Sequence, residues 1–128
     1  MTRTCIIFNP RANRGTAAGL LPELERCLGE HGQADLVQNT CPGEAAELAA
    51  RALEQGFERI VAAGGDGTVH EIVNGCQSHA GAEEWGTLGI IPIGSGNDLA
   101  WTLGLSPDLE TACARVFNGE QKEIDLGR

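Results

Sequence analysis

Apolar residues along the chain follow two spacings: short runs of neighbouring residues and longer runs with helical spacing. The short runs predict strands over 4–8, 34–38, 59–63, 87–91 and 123–126. The longer runs repeat at helical spacing and predict helices over about 20–28, 45–53 and 69–75. Ser106-Pro107-Asp108 is a helix-start signature, and Gly119 ends the helix that it predicts over about 106–118. Because strands alternate with helices, we expect a parallel sheet with right-handed crossovers and helices on both faces. The sequence therefore predicts an α/β fold, a three-layer α/β/α domain.

Glycine and proline mark the predicted helix ends. Pro22 falls in the first turn of the first helix, and Gly29 and Gly32 bracket its end. Gly56 is predicted to cap the second helix, and the third is expected to end near Gly75.

Polar or glycine-rich loops follow four of the predicted strands. Asn9 follows the first strand and Thr40 the second, while turns 64–68 and 94–98 follow the third and fourth. Ligands of an open parallel sheet bind beyond the carboxyl ends of its strands. We therefore expect these four loops to meet at one edge and form a ligand site.

The 64–68 turn, Gly-Gly-Asp-Gly-Thr, lies between a predicted strand and a predicted helix. Its glycines remove Cβ atoms that would hold a ligand away from the backbone, and a helix N-terminus attracts phosphate. Asp66 would repel bare phosphate unless a divalent cation lies between them. The turn predicts a nucleotide–magnesium site. The alternative is a capping box of Thr68 and Glu71, which would explain the helix start but not the glycines.

The second glycine turn, 94–98, repeats this chemistry as Gly-Ser-Gly-Asn-Asp. Ser95 as a helix cap with Asp98 three residues later is its structural alternative. Taken with the first turn, it suggests that Asp66 and Asp98 face a shared Mg²⁺, which accepts one or two protein carboxylates.

Two arginines follow the first strand in the segment Asn9-Pro10-Arg11-Ala12-Asn13-Arg14. Arg11 and Arg14 are the cations nearest the predicted phosphates, and either could clamp a phosphate with two hydrogen bonds. A solvated surface role is the alternative for one of the two. Asn13 tolerates left-handed backbone conformation almost as glycine does.

Composition excludes several classes of function. The 128 residues suit one domain, and a formal charge of −9 with Lys122 as the single lysine disfavours nucleic acid and adhesion to anionic lipid. No apolar stretch approaches the ~20 residues of a membrane span. The five cysteines are widely spaced and odd in number, so we expect free thiols in a reducing cytosol. The three histidines share no metal-ligand spacing.

The two glycine turns and their flanks resemble the catalytic domain of diacylglycerol kinases, a group that includes sphingosine, ceramide and bacterial lipid kinases. The matching segments are 64–75 (GGDGTVHEIVNG) and 92–100 (PIGSGNDLA), with Asn9-Pro10-Arg11-Ala12 at the start and 123–127 (EIDLG) at the end. The resemblance implies a fold similar to the nucleotide domain of phosphofructokinase and NAD kinase. Residues 1–128 would be the nucleotide-binding domain. The family's β-rich second domain is absent from this chain, which leaves the acceptor site incomplete.

The resemblance also implies ATP and Mg²⁺ as cofactors. It places an acidic, water-mediated magnesium network at Asp66, Asp98 and Asp125, with Asp66 and Asp98 as the candidate catalytic residues. Ser95 stands where many members have threonine and Asn13 where many have glycine. Together with the predictions above, the candidate nucleotide-binding residues are Asn9, Pro10, Arg11, Arg14, Thr40, Gly64, Gly65, Asp66, Gly67, Thr68, Glu71, Gly94, Ser95, Gly96 and Asn97.

The function that the resemblance implies is transfer of the ATP γ-phosphoryl group to a lipid hydroxyl, diacylglycerol-like or sphingoid. The lipid would be reached at a membrane surface with the second domain, by a cytoplasmic protein peripheral to the inner membrane surface. Two alternatives stay open: a kinase of the same superfold acting on NAD or a sugar phosphate, and a nucleotide-binding module or inactive fragment. The first strand is not followed by GxGxxG, and no GK[ST] occurs, which argues against Rossmann dehydrogenases and Walker-type ATPases. The oligomeric state is open, a homodimer included.

Overall fold

One parallel sheet organises the molecule. A computed structural model describes residues 3–11, 16–31, 34–41, 43–80, 87–93, 113–114 and 116–117. The four strands stand in the order β2-β1-β3-β4, and every neighbouring pair is parallel. This confirms the predicted α/β class. The elements are β1 (Thr4–Phe8), a 3-10 turn (Thr16–Leu20), α1 (Leu21–His31), β2 (Asp35–Gln38), α2 (Glu44–Glu54), β3 (Arg59–Gly64), α3 (Asp66–Ala80) and β4 (Thr87–Pro92).

The hydrophobic core lies on both faces of this sheet, because successive side chains of a strand point to opposite faces. On one face, Ile6 and Phe8 of β1 belong to a cluster with Leu24 and Cys27 of α1. On the other face, Cys5 and Ile7 pack in a cluster with apolar residues of α2 and α3 that comprise Ala45, Ala49, Ala52, Val69, Ile72 and Cys76. Helices therefore cover both faces, as the three-layer prediction requires.

The end of α2 is a Schellman motif centred on Gly56. Gly56 has φ of 91°, its N–H donates to Leu53 O over 3.1 Å, and the N–H of Phe57 donates to Ala52 O over 3.1 Å. The Arg3 guanidinium stacks 4.3 Å from the centre of the Phe57 ring and donates to Gln55 O over 2.6 Å. The predicted glycine stop is confirmed, and it lies one residue beyond the C-cap, Gln55.

The third helix does not end near Gly75, as the sequence suggested. α3 continues to Ala80, and Gly75 lies inside it at the closest approach of α2. A Cβ atom on Gly75 would be 2.7 Å from both the carbonyl carbon and Cα of Ala46, and closer still to Ala46 O. This glycine therefore allows the two helices to pack closely. The sequence pattern alone cannot distinguish a glycine that ends a helix from one that allows such packing.

The first helix also differs from its prediction at both ends. Leu20 precedes α1 in the 3-10 turn and is 36% exposed, whereas Gly29 lies within α1, which continues to His31. The described residues of the predicted 106–118 helix are helical, and Cys113 and Val116 are buried in the core. The predicted strand over 123–126 and the 94–98 turn lie outside the described residues.

None of the helices in the described part of the chain combines the length and the apolar character that spanning a membrane requires.

Candidate active site

Backbone hydrogen bonds continue the sheet one residue beyond the carboxyl end of three strands. Asn9 N–H donates to Ala63 O over 3.0 Å, Asn39 N–H to Phe8 O over 2.8 Å, and Ile93 N–H to Gly64 O over 2.9 Å. The loops after these strands therefore begin from one edge. The structure places Asn9, Thr40 and the 64–68 turn at that edge, as the sequence predicted.

The edge contains a topological switch point between β1 and β3. The chain leaves β1 towards α1 on one face of the sheet, and it leaves β3 towards α3 on the opposite face. Neighbouring strands whose connections diverge in this way open a crevice between their carboxyl ends, where ligands of α/β sheets bind. The candidate site lies in this crevice.

Asn9 joins the two sides of the crevice. Its Nδ2 donates to Thr68 Oγ1 over 3.1 Å, and its Oδ1 accepts the backbone N–H of Arg11 over 3.0 Å. Thr68 is only 3% exposed. The bond thus fixes the first turn of α3 against the loop after β1.

The capping-box alternative for Thr68 and Glu71 is wrong. Val69 N–H donates to Gly65 O over 3.1 Å, so the helix begins at Asp66 and Thr68 already lies inside its first turn. Glu71 Oε1 is buried and has no hydrogen-bond partner among the residues described. The reason is that β3 passes into α3 through Gly65 alone, which leaves no room for a cap at Thr68.

Gly64 and Gly67 meet different surroundings. A Cβ atom on Gly64 would lie 2.6 Å from Thr68 Oγ1 and 2.9 Å from Thr68 Cβ, so this glycine lets Thr68 pack. A Cβ atom on Gly67 would have nothing within 4 Å, and Gly67 is exposed. The open space above Gly67 is where a ligand could approach the first backbone N–H groups of α3.

Thr40 belongs to a second group of contacts at the end of β2. Its backbone N–H and its hydroxyl both donate to Glu44 Oε1, over 2.6 Å and 2.9 Å, and its carbonyl oxygen accepts a hydrogen bond from the Arg11 guanidinium. These bonds, followed by the charges of Arg51 and Arg11, lower the pKa of Glu44 below its usual value. Arg11 therefore links the loop after β1 to the loop after β2.

Asp66 is the described member of the predicted metal network. It is half-buried in the first turn of α3, where the positive end of the helix dipole favours a carboxylate. Among the described residues, no group of three or more His, Cys, Asp or Glu side chains is arranged to hold a metal. The other predicted site residues lie outside the described residues: Arg14, Gly94, Ser95, Gly96, Asn97, Asp98 and Asp125.

Sequence reasoning missed Asn39 and Glu44. Asn39 is 5% exposed, and its Oδ1 has no hydrogen-bond partner within the described ranges. A glutamate four residues after Thr40, just before the predicted second helix, was the available signal for Glu44. The sequence did not indicate that Asn39 is buried, because a polar residue after a strand is ordinarily expected at the surface.

A family model of the diacylglycerol kinase catalytic domain matches residues 3–128. The chain belongs to this family. The diacylglycerol kinase of Bacillus subtilis is 37% identical over 130 residues, covering 100% of this chain and 42% of that protein. The diacylglycerol kinase of Staphylococcus saprophyticus is 33% identical over 127 residues, covering 98% of this chain and 41% of that protein. This member of the diacylglycerol kinase family thus spans about two-fifths of those relatives.

The solved structures agree with the sequence comparison. A crystal structure of a diacylglycerol kinase from Bacillus anthracis superposes with a TM-score of 0.78 and 27% identity, covering 92% of this chain and 42% of that one. The family fold of a diacylglycerol kinase catalytic domain is therefore present in this chain.

Proposed function

We propose that this chain is the nucleotide-binding part of a magnesium-dependent lipid kinase, which transfers the γ-phosphoryl group of ATP to a lipid hydroxyl. The observation that carries the proposal is the crevice between β1 and β3, closed at its base by the Asn9–Thr68 hydrogen bond and open above Gly67. Family membership supports the lipid as acceptor. The acceptor site would need residues beyond this chain.

Phosphate would be bound by backbone groups at the start of α3. The first four N–H groups of a helix have no partner within it, and together with the helix dipole they attract an anion. Gly65 and Gly67 leave the backbone bare at this point. Asn9 and Thr68 hold the turn in place, so that these N–H groups are oriented before the nucleotide arrives.

Magnesium suits the donor set of this site. Mg²⁺ prefers oxygen ligands and keeps several waters. The buried Oε1 of Glu71, which has no partner among the described residues, is a carboxylate oxygen one helical turn below Gly67. Asp66, Asp98 and Asp125 would hold the ion, directly or through water. When bound, it would neutralise charge on the transferred phosphoryl group.

Phosphoryl transfer passes through a loose transition state, so the protein mainly positions the reactants and stabilises charge. The α3 N–H groups would stabilise the equatorial oxygens. Asp98 would lie near the acceptor hydroxyl, and a general base needs only a modest role because proton removal can follow cleavage. Arg11 and Arg14 remain candidates for contact with the phosphates.

Asp66→Asn tests the proposal, because it keeps the side-chain shape and removes the charge that would hold the ion. We expect calorimetry to show ATP binding to the wild type that requires Mg²⁺, and at least tenfold weaker binding by the variant. Asp35→Asn is the matched control, since Asp35 is exposed at the opposite end of the sheet. Magnesium-dependent binding that survives Asp66→Asn would refute the metal assignment.

An acceptor screen with labelled ATP then distinguishes the remaining candidates. Phosphorylation of diacylglycerol or sphingosine supports a lipid kinase. Phosphorylation of NAD or a sugar phosphate would instead assign the other branch of the superfold. ATP binding without transfer to any acceptor would support a non-catalytic nucleotide-binding module.

A further inference from the structure

Thr40 is fixed from two sides but stays accessible. Glu44 Oε1 accepts hydrogen bonds from both its N–H and its hydroxyl, and Arg11 donates to its carbonyl oxygen. The residue is nevertheless exposed at the sheet edge. A ligand lying across the carboxyl end of β2 would therefore reach the Thr40 hydroxyl oxygen.

The partner of Thr40 decides what this hydroxyl can do. An ionised carboxylate only accepts hydrogen bonds. Glutamate is ordinarily ionised at neutral pH, and the bonds of Glu44 to Thr40 lower its pKa further. The hydroxyl hydrogen is thus directed at Glu44, and lone pairs remain for a ligand. Thr40 can accept a hydrogen bond from a ligand but cannot donate one.

Asn39 provides a second acceptor beside it in the chain. Its side chain is buried, and its Oδ1 has no partner within the part of the chain that the structure describes. Buried polar atoms are normally hydrogen-bonded, and an unsatisfied one destabilises the protein. The buried Asn39 Oδ1 adds an acceptor next to Thr40 in sequence, and Thr40, which is exposed, is the residue of the two that a ligand can contact.

We propose that Glu44 is a positioning residue that fixes Thr40 as a hydrogen-bond acceptor for a donor group of the nucleotide, either the exocyclic amino group of the base or a ribose hydroxyl. The inference rests on the proposed function. It assigns the end of β2 to the nucleoside and leaves the phosphates at the start of α3. At the Thr40 hydroxyl itself a phosphate would face lone pairs and the Glu44 carboxylate, whereas the nearby Arg11 guanidinium donates to the Thr40 carbonyl oxygen.

The spacing of the sheet agrees with this division. β2 and β3 flank β1, so their ends stand about 10 Å apart, two strand spacings of roughly 4.8 Å. A nucleotide lying across the edge would have its phosphates at the 64–68 turn and its nucleoside near Thr40.

The orientation of Thr40 can be measured without nucleotide. We expect the Thr40 amide proton shift to titrate with Glu44, with a midpoint below that of an ordinary glutamate, in NMR spectra recorded against pH. The charged groups acting on Glu44 are Arg11 and Arg51. The titration should vanish in Glu44→Gln and persist in Glu47→Gln, a control on the same helix whose carboxylate pairs with Arg51 over 2.7 Å. A Thr40 amide that does not follow Glu44 would overturn the inference.

Affinities for nucleotide analogues test the consequence. We expect the wild type to bind at least fivefold more weakly to inosine triphosphate if the base amino group is the donor, or to 2′- or 3′-deoxy-ATP if a ribose hydroxyl is. In Glu44→Gln this preference should fall below twofold, because a carboxamide can donate to Thr40 and let its hydroxyl reverse. Glu47→Gln should keep it.

The outcomes separate the two proposals. If the wild type binds ATP and Glu44→Gln retains the full preference, the inference fails while the proposed function stands. The same holds if no analogue loses affinity in the wild type. If the wild type binds no nucleotide, the proposed function fails and the ligand assignment fails with it, whatever the amide titration shows.

Discussion

Gly64 and Gly67 belong to one short turn, yet they have different physical roles. A side chain on Gly64 would collide with Thr68, whereas one on Gly67 would project into open space. The first glycine is therefore required by the fold, and the second is needed only if something approaches its backbone. The two glycines lie three positions apart, and substituting Gly64 tests packing whereas substituting Gly67 tests the proposed ligand contact.

Gly67→Ala should leave the fold intact and weaken ATP binding. Alanine is favoured over glycine in a helix, so the free energy of unfolding should not fall and should rise by at most about 1 kcal/mol. The added methyl group should weaken ATP binding at least tenfold in calorimetry, because it fills the space proposed for phosphate.

Gly64→Ala is the matched variant. It should lower the free energy of unfolding by about 1–3 kcal/mol in urea titrations, since it overpacks against the buried Thr68. If Gly67→Ala binds ATP as tightly as the wild type, the proposed binding of phosphate at the start of α3 is refuted.

At the scale of elements, the contact of α2 with α3 depends on small residues. Ala45, Ala49 and Ala52 are buried along α2, and Gly75 of α3 lies against the backbone of Ala46. This close approach sets the position of α3, whose first turn forms the candidate site. A packing change in the middle of α3 would therefore also displace its N-terminus.

Gly75→Ala should lower the free energy of unfolding by roughly 1–3 kcal/mol, because its methyl group would overlap Ala46 backbone atoms. Gly29→Ala in α1 is the control. Gly29 is exposed with nothing within 4 Å of a Cβ, so alanine should stabilise by about 0.5–1 kcal/mol. Urea denaturation measures both. Equal effects of the two substitutions would contradict the close approach of α2 and α3.

At the scale of the whole molecule, its two-sided core buries thiols that respond to alkaline pH. Burial raises the pKa of Cys76 to about 12, and burial with the nearby charge of Asp35 raises the pKa of Cys5 to about 11. In the unfolded chain both thiols ionise near pH 9. The folded state holds these protons longer, so their stabilising contribution is complete below pH 9 and is lost as pH rises towards 11–12.

The free energy of unfolding should therefore fall above pH 9 by up to about 1.4 kcal/mol per pH unit for each thiol. The chain has no tyrosine and one lysine, so thiols make up most of the groups that ionise in this range. Urea denaturation between pH 8 and 10.5 measures the slope. A Cys5→Ala, Cys76→Ala double variant should show a shallower slope, whatever its stability at pH 8. An unchanged slope would refute this assignment.

Local chemistry made much of the architecture predictable from the sequence. The apolar runs of β1 and β3, the helical spacing in α2 and the left-handed glycine at its end follow from backbone and side-chain properties of neighbouring residues. The 64–68 turn likewise indicated the candidate ligand edge, because a parallel sheet brings the carboxyl ends of its strands together. The family motifs could also be identified from the sequence, because each is a continuous segment of neighbouring residues.

Contacts between distant residues required the folded chain. Gly75 read as a stop signal, and only the approach of α2 revealed it as a packing position. Thr68 read as a helix cap, whereas its hydroxyl bonds Asn9, 59 positions away. Local preferences act over a few residues, but the partner of a buried polar atom is set by how strands and helices pack. The patterns along the chain thus determined the main elements and the candidate ligand edge, while packing assigned Thr68 and Gly75 their partners.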